Sequence, residues 1–379
     1  MLLIQNGLLY TMETEQPIEA DLLIEQGKIS KIKKQITPEE GMQILDVKGM
    51  RVYPGFIDAH SHIGISEEKK TGIGDECNEC TNPVTPSMRA IDAINPMDSA
   101  FHNALAAGIT GVMVGPGSSN AIGGQFAFIK TDGRRIDDMI VLAPAAIKIA
   151  FGENPMSCYG MNGNLPSTRM GIAALIREEF FKAKQYFESN PEEKDFHMEC
   201  YRELFERKIP LKAHVHRADD IFTAIRIAEE FGLKLTLDHC TEGHLIVEEL
   251  AKSGYPAIVG PSMAARSKKE VSSSDFKTAG ILQKAGIVVA LTTDHPVSRL
   301  QYLPLCAGLA VKEGMEAYGA LRAITIDAAK IAGVDSRVGS LKAGKDADVV
   351  ICDGNPLEVT SSVVATIING KIVWTKEKE

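Results

Sequence analysis

The chain has 379 residues, too many for one small core and enough for one barrel-sized domain plus a minor one. Hydrophobic residues at 44% and charged residues at 24% are ordinary globular values and exclude a disordered chain. A formal charge of -9, with no Lys/Arg-rich run, excludes a nucleic-acid backbone as partner.

In chain order, residues 1–53 read as short strands: Leu2 to Ile4, Leu8 to Thr11, Asp21 to Glu25, Ile29 to Ile32 and Ile44 to Asp46. Gln26-Gly27-Lys28 supplies a turn between two of them. Met1 to Tyr10 lacks the basic start of a secretory signal, and no stretch is long enough to span a membrane. The middle alternates apolar strand-length runs with amphipathic helical stretches. Eight strands are predicted: Gly55 to His62, Ile109 to Gly115, Phe126 to Lys130, Val141 to Ala150, Pro210 to His216, Leu233 to His239, Pro256 to Val259 and Ile287 to Thr293. Helices are predicted between them, among others at Thr168 to Glu188 and Asp219 to Glu230. Ile63 to Pro96 is too long for a bare connection and reads as a lid over the site. The C-terminal end is β-rich again: Ala347 to Cys352, Ala365 to Ile368, an Asn369-Gly370 hairpin turn and Ile372 to Trp374.

Lone hairpins are only marginally stable, so the two β-rich ends are expected to meet. The expected α/β fold is a TIM (β/α)8 barrel at 54–337, with a small β-sandwich built from 1–53 and 338–379. A doubly wound sheet is weakened by the lack of a Gly-x-Gly-x-x-Gly turn after an early strand. Seven cysteines, an odd number scattered over the chain, read as reduced thiols and place the protein in the cytoplasm. The close pair Cys77 and Cys80 has no second pair at zinc spacing and reads as a plain loop.

Barrel active sites are built at the C-terminal ends of strands, and reactive side chains recur there. Strand one ends in Asp58-Ala59-His60-Ser61-His62, strand five in Ala213-His214-Val215-His216, strand six in Asp238-His239 and strand eight in Thr293-Asp294-His295. Of nine histidines, six fall at these four ends, and His244 follows strand six. Scattered core histidines would not segregate in this way. His60 and His62 stand two apart on a strand, so they share a face and can share one ion. Asp294 can take the proton of an ion-activated water and return it to a leaving nitrogen. His102 and His197 fall in helical stretches and carry no such role. Arg89, Arg217 and Arg266 are candidate carboxylate clamps that read more readily as surface charges. Gly115 to Gly124 follows strand two; it is glycine-rich but lacks the Lys-Ser/Thr ending of a phosphate loop.

Pro54-Gly55-Phe56-Ile57-Asp58-Ala59-His60-Ser61-His62 and Gly339-Ser340-Leu341-Lys342-Ala343-Gly344-Lys345-Asp346-Ala347-Asp348 resemble the first-strand signature and the re-entry to the terminal β domain of the amidohydrolase superfamily, nearest its imidazolonepropionase-related branch. The resemblance implies one or two divalent ions, zinc first, with Fe2+ or Mn2+ as the other candidates. It implies His60, His62, His214, His239 and Asp294 as ligands. A two-ion site also needs a bridge from strand four: Lys148 in carboxylated form is preferred, and Glu153 is the alternative. His214 and His216 share a face; His214 is assigned to the ion and His216 to substrate, with the opposite assignment left open. His244 is a further substrate-binding candidate or a helix cap, and His295 belongs behind the site.

The expected activity is metal-dependent hydrolysis of a carbon–nitrogen bond in a small molecule: a cyclic amide, an N-acyl amino acid or a dipeptide. A ring-amidine deaminase is the runner-up, weakened because Arg217, Ala218 and Asp219 stand where such enzymes often carry a Glu. A metal-free scaffold is the other alternative. The chain is expected to act as a homo-oligomer, without nucleic-acid or membrane partners.

Overall fold

A computed structural model describes residues 1–68 and 74–376. Strands from both ends of the chain hydrogen-bond into one eight-stranded sheet, and the middle forms a second sheet of eight. In the terminal sheet Val349–Cys352 pairs antiparallel with Arg51–Pro54, and this contact joins the two ends of the sequence. The two N-terminal pieces anticipated around Gln5 and Asn6 are one strand, Leu2–Leu9, whose register shifts between Ile4 and Gly7. Asn6 makes the shift by adopting the left-handed region at φ 61, where Asn is better tolerated than most residues. Its amide donates to Asp21 Oδ1 at 2.9 Å. The turns at Gln26-Gly27 and Asn369-Gly370 form with positive φ at both residues, as the sequence suggested. Leu22, Ile24, Val52, Val349, Ile351 and Ile367 close the apolar core of this unit.

The second sheet is the barrel. Its strands lie in chain order: β1 Phe56–Ser61, β2 Ile109–Val114, β3 Ile122–Lys130, β4 Ile140–Ala150, β5 Leu211–Val215, β6 Leu235–His239, β7 Ala257–Val259 and β8 Val289–Leu291. All eight predicted strands are present. One differs in direction: β3 runs antiparallel to both β2 and β4, so the unit is not a strict (β/α)8 repeat. The reason is the connection. Only residues 115–121 join β2 to β3, whereas a parallel crossover needs a dozen or more. The start of β3, rather than its end, therefore faces the mouth of the barrel.

Outside the sheet, the helix Arg169–Ser189 starts at Thr168, whose Oγ1 accepts from Gly171 N at 3.1 Å. It buries Ile172, Ile176, Phe180 and Ala183, a three-to-four spacing that makes one apolar stripe. Phe180 meets Tyr201, Phe205 and Phe231 edge-on. Part of the expected lid, 69–73, lies outside the described residues. Its later part runs along β3 through bridges from Val84 to Ile122 and from Arg89 to Gln125. No helix among the described residues is long and apolar enough to cross a membrane.

Barrel and terminal sheet are joined by buried charges. Lys130, at the end of β3, pairs with Asp348 and lies 3.2 Å from Asp346; all three are nearly inaccessible. Asp346 also pairs with Lys28 and with Arg337 at 2.8 Å. Lys130→Met strands the Asp348 carboxylate, and removing one partner of a buried pair costs about 3–5 kcal/mol. We expect a loss of that size in denaturant unfolding, against little change for the exposed Lys184→Met.

Candidate metal centre

Five imidazoles and one carboxylate converge at the barrel mouth. His60 ends β1 and His62 follows it; their Nε2 atoms lie 3.4 and 3.2 Å from Asp294 Oδ1, just beyond β8. His239, at the end of β6, meets His60 and His214 on β5 edge-on, with ring centroids 5.0 and 4.4 Å apart. Two overlapping sets of donors result among the described residues. Single ligand atoms of His60, His239 and Asp294 lie within 4.8 Å of one another, and so do those of His214, His216 and His239.

What stands behind each ring decides which nitrogen faces the cluster. His60 Nδ1 meets Asp238 Oδ2 at 2.8 Å, His62 Nδ1 meets Gly115 O at 2.7 Å and His239 Nδ1 meets Gly260 O at 2.8 Å. Carbonyls and ionised carboxylates only accept, so each Nδ1 must donate, and it is Nε2 that carries the lone pair when the ring is neutral. The two carbonyls belong to glycines for steric reasons. A Cβ on Gly115 would lie 2.0 Å from the Phe126 ring, and one on Gly260 would lie 2.3 Å from Thr292 O.

Protonation follows from the same setting. Burial holds His60 below the ordinary imidazole range, puts His214 and His216 well below it, and takes His239 down to about 3. Burial opposes ionisation of Asp294, but His60, His62 and His239 outweigh it and keep the carboxyl well below its usual value. His60, His214, His216 and His239 thus favour the neutral form beside one carboxylate, the protonation states that a divalent ion requires.

Four buried atoms in this cluster lack a hydrogen-bond partner: His60 Nε2, His239 Nε2, Asp294 Oδ1 and Lys148 Nζ. Orphaned donors and acceptors in a core are rare because each costs free energy. Three of these four are the lone-pair atoms that an ion would take, so the residues fit a divalent metal. Lys148, on β4, pairs in register with Lys212 on β5, and both ammonium groups sit 5.4 Å from the Phe126 ring centroid. Lys212 is satisfied by Ala59 O at 2.9 Å and Asp238 Oδ1 at 3.2 Å. Lys148 is not, and burial pushes it down to about 8.

The cluster opens on a cavity of about 370 Å³, the size of a small-molecule site. His62, His214, His216 and Asp294 line it; His244 does not. His244 Nδ1 instead lies 3.0 Å from Thr278 Oγ1, on the helix side of its turn. His216 Nδ1 meets Thr241 Oγ1 at 2.7 Å. Glu153, the alternative bridge, exchanges hydrogen bonds with Glu270: its Oε1 accepts from Glu270 N at 2.9 Å and its N donates to Glu270 Oε2 at 2.7 Å. His295 lies behind the site, its Nδ1 accepting from Leu300 N and its carbonyl from His62 N. Arg217 holds Asp219 in a two-pronged pair, Arg266 donates to Ser274 O, and Arg89 is exposed, so none of the three lines the cavity.

Sequence reasoning gave no role to Asp238 or Lys212, and it missed Asn154 and Lys268 on the cavity wall and Glu270 behind Lys268. Lys212 could have been found, because it shares the strand alternation of His214 and His216. Asp238 could not: alternation puts it opposite His239, yet both reach His60. His239 stands at φ 70, and that left-handed turn breaks the alternation.

The sequence profile of the amidohydrolase family matches residues 163–373. The solved structure of an amidohydrolase from Thermotoga maritima MSB8 superposes with a TM-score of 0.96 at 40% identity, covering 99% of this chain and 100% of that one. Amidohydrolase tasK of Hapsidospora irregularis is 28% identical; the match covers 92% of this chain but only 39% of that protein's length. A dihydroorotase of Aquifex aeolicus is 25% identical over 99% of this chain and 97% of its own.

Removing the acceptor behind His60 is a direct check on the centre. We expect Asp238→Asn to weaken divalent-ion retention about 10–100-fold in chelator competition, as outer-shell partners of ligating histidines do elsewhere.

Proposed function

The chain belongs to the amidohydrolase family and acts on carbon–nitrogen bonds, and from that premise we propose that its substrate is a small cyclic amide, N-acyl amino acid or dipeptide. The carrying observation is the set of orphaned atoms: His60 Nε2, His239 Nε2 and Asp294 Oδ1 are buried and unpaired, and the Nδ1 atoms of both rings are already committed. In this proposal His60, His62, His214, His239 and Asp294 hold the ion or ions, with zinc, a metal that suits imidazole donors, as the first candidate. When bound, the ion acts as a Lewis acid that polarises the scissile carbonyl and lowers the pKa of water toward about 7.

The chain's own groups supply the rest. Asp294 is ionised and lines the cavity, so it takes a proton from the attacking water and delivers it to the departing nitrogen. His216 lines the same wall and orients substrate. Lys148, with its amine pushed down to about 8, keeps a neutral fraction near physiological pH. That neutral amine can take up carbon dioxide, forming an N–C bond and releasing one proton, and the carbamate so formed would offer an anionic donor to the ions where an unpaired ammonium would otherwise be buried. Glu153 is spoken for by Glu270, which leaves Lys148 the better bridge.

Deamination of a ring amidine finds less support. Asp219, the carboxylate nearest the place such a reaction wants one, is held by Arg217 at 2.9 Å from both of its oxygens.

The test combines metal analysis with a hydrolysis screen of cyclic amides, N-acyl amino acids and dipeptides. We expect at least one divalent ion per chain, loss of turnover on chelation and recovery on adding metal back. Asp294→Asn should lower kcat about 10²–10⁴-fold, the usual worth of a general acid–base group. A purified protein without metal, or an Asp294→Asn variant with full activity, would falsify the proposal.

A further inference from the structure

The cavity wall carries a second charged feature, separate from the ion cluster. Lys268 is the only lysine or arginine among the described residues lining the cavity. A lysine left to itself extends its ammonium toward bulk water. Here it is held back: Nζ donates to Asn154 Oδ1 at 2.7 Å and to Glu270 Oε1 at 2.7 Å, and the side chain stays 25% exposed.

The group holding it is itself built in. Glu270 is 1% exposed, and its other oxygen accepts from Glu153 N at 2.7 Å. Gly152, just before, leaves room for it: a Cβ there would lie 2.3 Å from Glu270 Oε2. Asn154 links this arrangement to the reacting end of the cavity. Its Nδ2 donates to Ser118 Oγ at 2.6 Å and lies 3.5 Å from His214 Nε2, while its Oδ1 takes the Lys268 ammonium. One carboxamide side chain thus separates Lys268 from a candidate ion ligand. An ammonium has three N–H groups, and two are spent on Asn154 and Glu270.

We infer that Lys268 is a specificity-determining residue that receives a carboxylate of the substrate, with its third N–H as the donor. The inference rests on the hydrolytic reading above and narrows it to amides bearing an anionic group close to the scissile bond. An N-acyl amino acid has this form, with its carboxyl carbon two bonds from the amide nitrogen. A cyclic amide carrying a carboxylate on the ring carbon next to its nitrogen has the same spacing. The purely structural alternative is that Lys268 only neutralises Glu270, in which case its loss would affect charged and neutral ligands alike.

The probes are 4-oxopentanoate, in which a methylene replaces the amide nitrogen of N-acetylglycine so that nothing can be hydrolysed, and its neutral counterpart 4-oxopentanamide. Binding of both to the metal-loaded protein is measured by calorimetry. The wild type should prefer the acid by about 10–100-fold, the worth of one charge-assisted hydrogen bond. Lys268→Met should lose that preference by weakening acid binding while amide binding stays the same, and Lys268→Arg should keep part of it. Lys268→Gln retains a donor to Glu270 without the charge and replaces the Met variant if that one does not fold. With N-acyl amino acids as substrates, KM should rise in the Met variant and kcat should stay nearly constant. If acid and carboxamide bind the wild type equally, if neither binds, or if the uncharged variant keeps the preference, the inference falls, whatever the hydrolysis screen reads. Acid preference through Lys268 in a protein that cleaves no amide sustains the inference and overturns the hydrolytic reading instead.

Discussion

An imidazole can offer a lone pair inward only if something accepts the proton on its other nitrogen, and the mouth of this barrel is organised around that need. The three acceptors come from three places in the chain: Asp238 beside His239 on β6, Gly115 after β2 and Gly260 after β7. None of them can shift freely. Gly115 is packed against Phe126, Gly260 against the carbonyl of Thr292, and Asp238 is held by Lys212 as well as by His60. The orientation of each ring is therefore set by the barrel wall and not by the ring's own rotamer freedom. This is the kind of support that keeps a reactive constellation within the tolerance its chemistry demands.

The lysine pair on β4 and β5 shows how narrow the electrostatic balance is. Two ammonium groups lie side by side over one aromatic ring, and Asp238 satisfies only one of them. An unpaired ammonium in such surroundings is costly, and the direction in which Lys148 moves, toward the neutral amine, is the ordinary response of a buried base. Polar groups left unsatisfied tend to gather where a protein does work. Here four of them gather at one end of one sheet.

Much of this was legible in the residue order. Every barrel strand could be read from apolar runs bounded by helical stretches, and the gathering of histidines at strand ends pointed to one face. The reversed direction of β3 was also legible in principle, because the stretch from Gly115 to Ala121 is too short to cross the barrel. Other features were out of reach for physical reasons. His244 follows a strand end in sequence, but a 3-10 turn at Gly243–Leu245 carries it away from the cavity. Asp238 lies in register with His214 and faces inward by regular alternation, and His239 joins it at the site only by leaving the regular strand conformation. Asn154 and Glu270 stand on helical segments too short to show a period, Glu153–Tyr159 and Lys269–Val271; Lys268 meets Asn154 across 114 residues and Glu270 meets Glu153 across 117, and only the barrel brings them together.

Closure itself has a consequence for how the molecule assembles. Between β2 and β4 the chain forms a meander whose pairings are short in sequence. The seam between β8 and β1 instead joins residues 232 and 235 apart, where Thr293 donates to Asp58 through both its amide and its hydroxyl, and Thr292 donates to the carbonyl of His60. Contacts so distant carry a high entropic cost and form late. The same seam sets Asp294 against His60 and His62. A partly folded chain with an open barrel thus has no complete ligand set, and anything that binds the complete set pulls the last strand into place and holds it there.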